Sequence, residues 1–348
     1  MKGVVFTGDR QLELRELPVP EPGPEQALVR MAASSICGTD MHFYRKSWDE
    51  LVEFRASFNG SPDTIPGHEP CGVVESVGAN VTSVGPGDRV TVYQHVGCES
   101  CGYCRRGEVM FCPERTGYGS VHDGSSADYT LAPARNCMRI PDALSFDRAV
   151  VLSCAGGTAY QSIQRIDPSG ADTVGIFGLG PVGLCATAFA VARGARVVGL
   201  DLQPERLRLA RAMGAERVID VSGQDAVAEL LEMTGGRGLD AAADYSGSPR
   251  AQQAMVAAAG KWARLGLVGV GEPFELDAFR GMIMRQLTLM GSWIYNLGQF
   301  EEIVGHVLER DIPLEELITH RYTIDQAEEA FRVFDSGVTG KVVFTWES

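Results

Sequence analysis

Four cysteines, Cys98, Cys101, Cys104 and Cys112, fall within fifteen residues as C-x2-C-x2-C-x7-C in a Gly-rich stretch. Thiolates spaced this closely can close a tetrahedron around Zn²⁺ with no open position, which braces a lobe and does no chemistry. The spacing also resembles some iron–sulfur runs, but the lobe carries no other redox signal, which favours zinc. Unligated thiols so exposed would oxidise. A second group is Gly178-Leu179-Gly180-Pro181-Val182-Gly183, followed eighteen residues later by Asp201. Glycines here permit a tight turn, close backbone approach to a pyrophosphate and close helix–strand packing, while the helix N-terminus attracts the phosphates. Asp201 would accept the ribose hydroxyls and repel a 2′-phosphate, favouring NAD over NADP; Arg206 could neutralise such a phosphate. A third set, Cys37, His68-Glu69 and Cys154, has metal-ligating types, but their spacing alone does not join them, because an isolated Cys is more often a small core residue.

These groups need scaffolds. Up to about residue 150 the chain reads as short strands (Gly3–Phe6, Gln26–Ala32, Gly72–Val77, Arg89–Tyr93, Ala127–Leu131) punctuated by Pro and Gly, the pattern of a barrel-like β domain. From about Ala155, strands at Thr173–Phe177, Arg196–Leu200, Val218–Ile219, Leu239–Asp244, Ala263–Val268 and Leu287–Ser292 alternate with helical stretches such as Pro204–Met213. That alternation predicts an α/β doubly wound parallel sheet. Phe300–Glu309 and Ile324–Asp335 read as helices and Lys341–Trp346 as a last strand.

The 348 residues exceed twice the ~150-residue domain prior, and at 45% hydrophobic and 22% charged they have the makeup of a soluble globular protein. With 31 Lys plus Arg against 45 Asp plus Glu, the formal charge of −14 argues against nucleic-acid and anionic-membrane partners. Neither a signal-peptide pattern nor a membrane-length apolar run is present, so the expected placement is cytoplasmic, where clustered cysteines hold metal more often than disulfides.

Gly67-His68-Glu69-Pro70-Cys71-Gly72 and its continuation to Gly78 resemble the GHE-x2-G-x5-G signature of zinc-containing medium-chain alcohol dehydrogenases. Cys37-Gly38-Thr39-Asp40, the four-cysteine lobe, the glycine turn and Asp201 follow in that family's order, so the resemblance spans the chain. It implies a GroES-like catalytic domain over 1–154, a Rossmann NAD-binding domain over 155–295, and a segment 296–348 returning to the first. It implies an oxidoreductase acting on CH–OH groups with two zinc ions per chain. Cys37, His68 and Cys154 would ligate the catalytic zinc. Sorbitol-dehydrogenase-like relatives commonly offer a Glu near the third position; this sequence has none there, so the Cys-His-Cys set fits better. Glu69 resembles a carboxylate that approaches the metal during ligand exchange, and Asp40 the acid that orients the ligating His.

Two thiolates and an imidazole leave Zn²⁺ formally neutral with one position open, where an alcohol would lose its proton more easily, as bound water does when its pKa falls to roughly 7. Hydride would pass to the nicotinamide. Thr39 would accept the hydroxyl proton and His42 pass it to solvent; outside the family a helix N-cap and a surface His are the ordinary readings. Thr158, Val182, Val268 and Val270 match nicotinamide-contacting positions, and Lys341 a basic residue that reaches the pyrophosphate. Gln94 and His95 stand where relatives place apolar pocket residues, suggesting a polar substrate. Phe43–Thr64, with Trp48, is either a lid or a surface loop, and Trp293 lines either the pocket or a dimer interface.

The expected function is reversible NAD-linked oxidation of a primary or secondary alcohol, with a polyol or amino-alcohol (sorbitol- or threonine-type) dehydrogenase as the alternative within the class. A dinucleotide-binding structural or sensing protein is the alternative outside it. The family implies a homodimer or homotetramer, the edge strand Leu287–Ser292 pairing across a two-fold.

Overall fold

A computed structural model describes residues 1–223 and 225–346. The chain divides into two compact units: Met1–Cys154 with Asn296–Leu308 and Ile318–Ser348, and Ala155–Tyr295 with Glu309–Leu317.

In the first unit a seven-stranded sheet runs in the order Ile318–Tyr322, Lys341–Thr345, Gln26–Ser35, Pro70–Val77, Arg89–Val92, Cys137–Arg139, with Tyr129–Pro133 also paired to Gln26–Ser35. Gln26–Ser35 is the longest strand, and its alternate residues Ala27, Val29 and Met31 face a core shared with Val74, Val90 and Val92. Leu28 and Ser34, on the opposite face, are buried too, so this central strand is covered on both faces over much of its length. A second core gathers Phe6, Met41, Tyr44, Leu51, Phe331 and Phe344, with Phe6 edge-on to Phe331 at 5.1 Å. Burying each such ring contributes about 1.5–3 kcal/mol. Exposed pairs nearby, such as Arg45 with Asp335, add about 0–1 kcal/mol each, so the aromatic core decides the packing.

Helices α1 (Gly38–Tyr44) and α2 (Trp48–Ala56) lie against that core through Met41, Phe43, Tyr44 and Leu51. The stretch expected to be a lid or a loop therefore contains a helix. Ser47 caps it, accepting from the Glu50 N–H while Glu50 accepts from the Ser47 N–H. Arg55 anchors it: fully buried, its guanidinium donates to the Pro62 and Gly119 carbonyls and lies 5.8 Å from the Phe43 ring.

The second unit holds six parallel strands in the order Arg217–Asp220, Arg196–Asp201, Thr173–Phe177, Leu239–Asp244, Ala259–Leu267, Thr288–Gly291. Counted along the chain that order is 3-2-1-4-5-6, the doubly wound arrangement whose ligand crevice opens at the carboxyl ends beside the first strand. Every residue of Thr173–Phe177 is buried, as expected of a strand covered on both faces. Helix α3 (Gly157–Ile166) packs on α4 (Pro181–Ala192), which follows that first strand. One boundary departs from the sequence expectation. Glu309–Leu317 does not return with its neighbours but joins the second unit, its turn Leu314–Leu317 lying on α4 and on the helix Pro204–Ala212. Among the described residues no helix is long and apolar enough to cross a membrane.

Candidate active site

Cys37, His68, Glu69 and Cys154 each offer a ligand atom, and these four atoms lie within 4.8 Å of one another in the first unit. Distant stretches of sequence supply them. Cys37 is the residue from which α1 springs. His68 follows Gly67, whose φ of +96° favours glycine and whose Cβ position lies 2.8 Å from Ser125 Oγ. Cys154 sits in a π-helical turn, Leu152–Gly156, a geometry that recurs at functional sites. All four side chains are wholly or largely shielded from solvent, and two sulfurs, an imidazole and a carboxylate form a donor set suited to Zn²⁺. The hydrogen bond from Cys154, and then the His68 charge, hold the Cys37 thiol well below the ordinary thiol range against the burial that raises it.

Asp40 ties the cluster to α1. One carboxylate oxygen accepts the Cys37 N–H at 2.8 Å, and the other lies 3.5 Å from His68 Nδ1, leaving Nε2 for a metal. Thr39 is exposed, its Oγ1 3.9 Å from Cys37 Sγ. It is not the N-cap, which is Cys37. His42 is exposed on the same helix.

Glu69 is fully buried. Its Oε2 accepts from Ser35 Oγ and from Lys341 Nζ, and its Oε1 has no partner among the described residues. Burial pushes the Glu69 carboxyl up to about 7 against the pull of Lys341. Lys341, expected from the resemblance to reach a pyrophosphate, is buried, with its ammonium on Glu69 and 3.4 Å from the Ile36 carbonyl. The reason is its strand: Val343 pairs with Ser35, so Lys341 is laid against the chain that leads to Cys37. Neither Ser35 nor this pairing was legible in the sequence.

Cys98, Cys101, Cys104 and Cys112 form the second cluster, again within 4.8 Å. Backbone N–H groups of Cys98, Cys101 and Cys104 point at the sulfurs of Cys112, Cys98 and Cys101, each at 3.4 Å. Such donors favour thiolates, and hydrogen bonds from Ser100 bring the Cys98 thiol down to about 6. The set fits a closed tetrahedral zinc site.

In the second unit, Gly178 has φ +87°, and a Cβ there would come within 2.8 Å of Ser246. A Cβ on Gly183 would overlap the Gly178 carbonyl oxygen. Around Gly180 nothing lies within 4 Å of the Cβ position, so the backbone before α4 is open to a ligand. Pro181 occupies the first turn. Buried Asp244 holds the adjoining loop, accepting from the Ser246 and Gly247 N–H groups and from Gln252. Asp201, at its strand end, accepts N–H groups of Leu179, Leu202 and Gln203 at 2.6, 2.8 and 2.9 Å, with Arg206 3.9 Å away. Three of about four lone-pair sites are thus taken; the carboxylate is fixed and can accept once more. These features fit a dinucleotide.

Of the remaining predicted residues, Gln94 is buried with its amide nitrogen unpartnered among the described residues. His95 stands 6.4 Å from the Tyr93 ring. Burial, then the charges of His68 and Arg115, push its imidazole down to about 4. Trp48 starts α2, its backbone against Gly8. Thr158 is buried on α3, Val182 lies on α4, Val268 is half-buried and Val270 is 80% exposed. Trp293 is 44% exposed, whereas Tyr295 is buried with its ring on Gly157.

Two family models match the chain: the alcohol dehydrogenase GroES-like domain over residues 23–142 and the zinc-binding dehydrogenase domain over 181–309. The uncharacterized zinc-type alcohol dehydrogenase-like protein YphC of Escherichia coli (strain K12) is 34% identical, covering 99% of each chain. L-Threonine 3-dehydrogenase of Anaeromyxobacter dehalogenans (strain 2CP-C) is 35% identical over 95% of this chain and 94% of its own. The structure of alcohol dehydrogenase TADH from Thermus sp. ATN1 superposes with a TM-score of 0.89 at 26% identity, covering 99% of both.

Proposed function

The chain belongs to the zinc-type medium-chain alcohol dehydrogenases, and from that membership we propose that it reversibly oxidises an alcohol bearing further polar groups, with NAD preferred over NADP. The observation that carries this reading is the convergence of Cys37, His68 and Cys154. These residues would hold the catalytic zinc, and the four-cysteine cluster a structural one. Bound zinc supplies Lewis acidity that makes a hydroxyl a better proton donor, and the nicotinamide supplies the hydride acceptor. Thr39 takes the substrate proton by hydrogen bond. His42, three residues on and so on the same face of α1, hands it to water. Asp40 keeps His68 in the tautomer that presents Nε2. The Gly178–Gly183 turn receives the pyrophosphate, with Thr158, Val182, Val268 and Val270 as nicotinamide contacts. The Asp201 charge disfavours a 2′-phosphate.

Gln94 and His95 favour a polar substrate. An unpaired buried amide N–H costs about 1–3 kcal/mol, a cost that a substrate acceptor removes. Burial keeps the His95 ring neutral, a polar rather than a charged group. L-Threonine 3-dehydrogenases among the relatives favour an amino alcohol as the specific case. A panel of hydroxy amino acids, polyols and alkanols of matched size, each with NAD and NADP, tests the proposal. Polar substrates should exceed alkanols in kcat/KM by more than tenfold, and Gln94→Leu should narrow the gap. Equal rates for alkanols would end the polar reading. Exposed Phe279, Ile283 and Met284, close in sequence to the edge strand Thr288–Gly291, support self-association, which sedimentation measures.

A further inference from the structure

We propose that Lys341 is the residue that keeps Glu69 from becoming a permanent fourth ligand of the metal, and so keeps one coordination position open to exchange. The inference rests on the zinc reading of the cluster and adds a positioning residue to it.

Glu69 falls inside the same cluster as the three ligands, all four ligand atoms lying within 4.8 Å of one another, so a carboxylate oxygen is within reach of an ion held there. Its tethers set it apart. Oε2 is held by Lys341 and Ser35, while Oε1 is buried and unpartnered. The tether is rigid for a reason in the sheet. Lys341 opens the strand Lys341–Thr345, which pairs antiparallel with Gln26–Ser35 through Val343–Ser35 and Phe344–Ser34. Its side chain is 1% exposed, and the ammonium also faces the Ile36 carbonyl at 3.4 Å, so it cannot turn to solvent.

Charge arithmetic points the same way. Two thiolates balance a divalent cation, and Lys341 balances Glu69, so the cluster is neutral with the carboxylate satisfied at a distance. Remove the Lys341 charge and Glu69 keeps a single hydroxyl donor, so it must either take up a proton or find another cation. The nearest cation is then the metal, and isolated buried charge is the costliest state available to the site. Glu69 would move onto the metal and close the position that substrate needs.

Cobalt(II)-substituted protein tests this, with imidazole as a small neutral probe of the exchangeable position and visible absorption as the readout. Wild type and Lys341→Arg should show the same imidazole-induced shift. Lys341→Met should need at least tenfold more imidazole and should release its catalytic-site cobalt to a chelator more slowly. Adding Glu69→Gln to Lys341→Met should restore the response, because the competing carboxylate is gone. If Lys341→Met does not fold, Lys341→Gln, which keeps a donor but not the charge, carries the same comparison. Equal imidazole responses in wild type and the charge-removing variants, or no restoration in the double variant, overturn the proposal. A wild type that takes up only one cobalt per chain, at the four-cysteine cluster, sinks the zinc reading itself and is recognised as such before any variant is made.

Discussion

Asp40 uses its two oxygens on two partners, and both serve the metal cluster. One oxygen fixes the Cys37 N–H and the other faces His68 Nδ1. Asp40→Asn keeps one acceptor and replaces the other by an amide that cannot accept from His68. Outer groups of this kind typically control metal affinity or activity by 10–100-fold. The variant should therefore lose catalytic-site zinc affinity and kcat together by roughly that factor, while the four-cysteine zinc is retained. Metal analysis against competing chelator checks it, and an unchanged affinity would show Asp40 to be only a helix cap. Residues like Asp40 and Thr39 could be read from the sequence because they lie within three positions of Cys37. Lys341 could not: its partner is 272 residues away, and a Lys opening a strand looks like ordinary edge polarity until the pairing is known.

The glycine turn before α4 makes a sharper statement as an element than any of its residues alone. Gly183→Ala would drive a Cβ into the Gly178 carbonyl, whereas at Gly180 the same methyl meets nothing within 4 Å. Gly183→Ala should therefore lower thermal stability and NAD binding together. Gly180→Ala should fold with a near-wild-type melting temperature and still bind NAD at least tenfold more weakly, since the methyl occupies the ligand's approach. Calorimetry with nucleotide titration separates the two; tight NAD binding by Gly180→Ala would remove Gly180 from the pyrophosphate path. Elements with unbroken apolar pattern, Thr173–Phe177, Leu239–Asp244 and the helix Phe300–Glu309, are legible from sequence to the residue. Helix α2 is not, although Ser47 and Glu50 form a capping box. Its inward face carries Leu51, Phe54 and Arg55, and the cation interrupts the apolar stripe by which a helix is recognised. The strand Gln11–Glu16 escaped because its alternation is only two apolar residues long, Leu12 and Leu14 among charged and polar neighbours.

Across the whole molecule, fold class follows from the change of period near Ala155, but the closing of each unit does not. Asn296–Leu308 and Ile318–Ser348 complete the first unit while Glu309–Leu317 belongs to the second, an interleaving set by contacts far apart in sequence. Its consequence is that both cysteine-bearing clusters are scaffolded by one unit and the glycine turn with Asp201 by the other. Metal loss should therefore fall unevenly. On the ligand sets proposed above, the site formed by Cys37, His68 and Cys154 would have three protein ligands and an exchangeable corner and the four-cysteine site would be closed, so a chelator should strip the former first. Removal of that first zinc should abolish hydride transfer with little change in melting temperature. Loss of the second should lower the melting temperature, because a structural site contributes directly to folding. NAD binding, followed by fluorescence, should survive the first loss, since the residues that would hold the nucleotide owe their positions to Thr173–Phe177, α4 and Asp244. If nucleotide affinity disappears together with the first zinc, the assignment of the dinucleotide site to Gly178–Gly183 and Asp201 alone is wrong, and residues of the metal-bearing unit must be part of it.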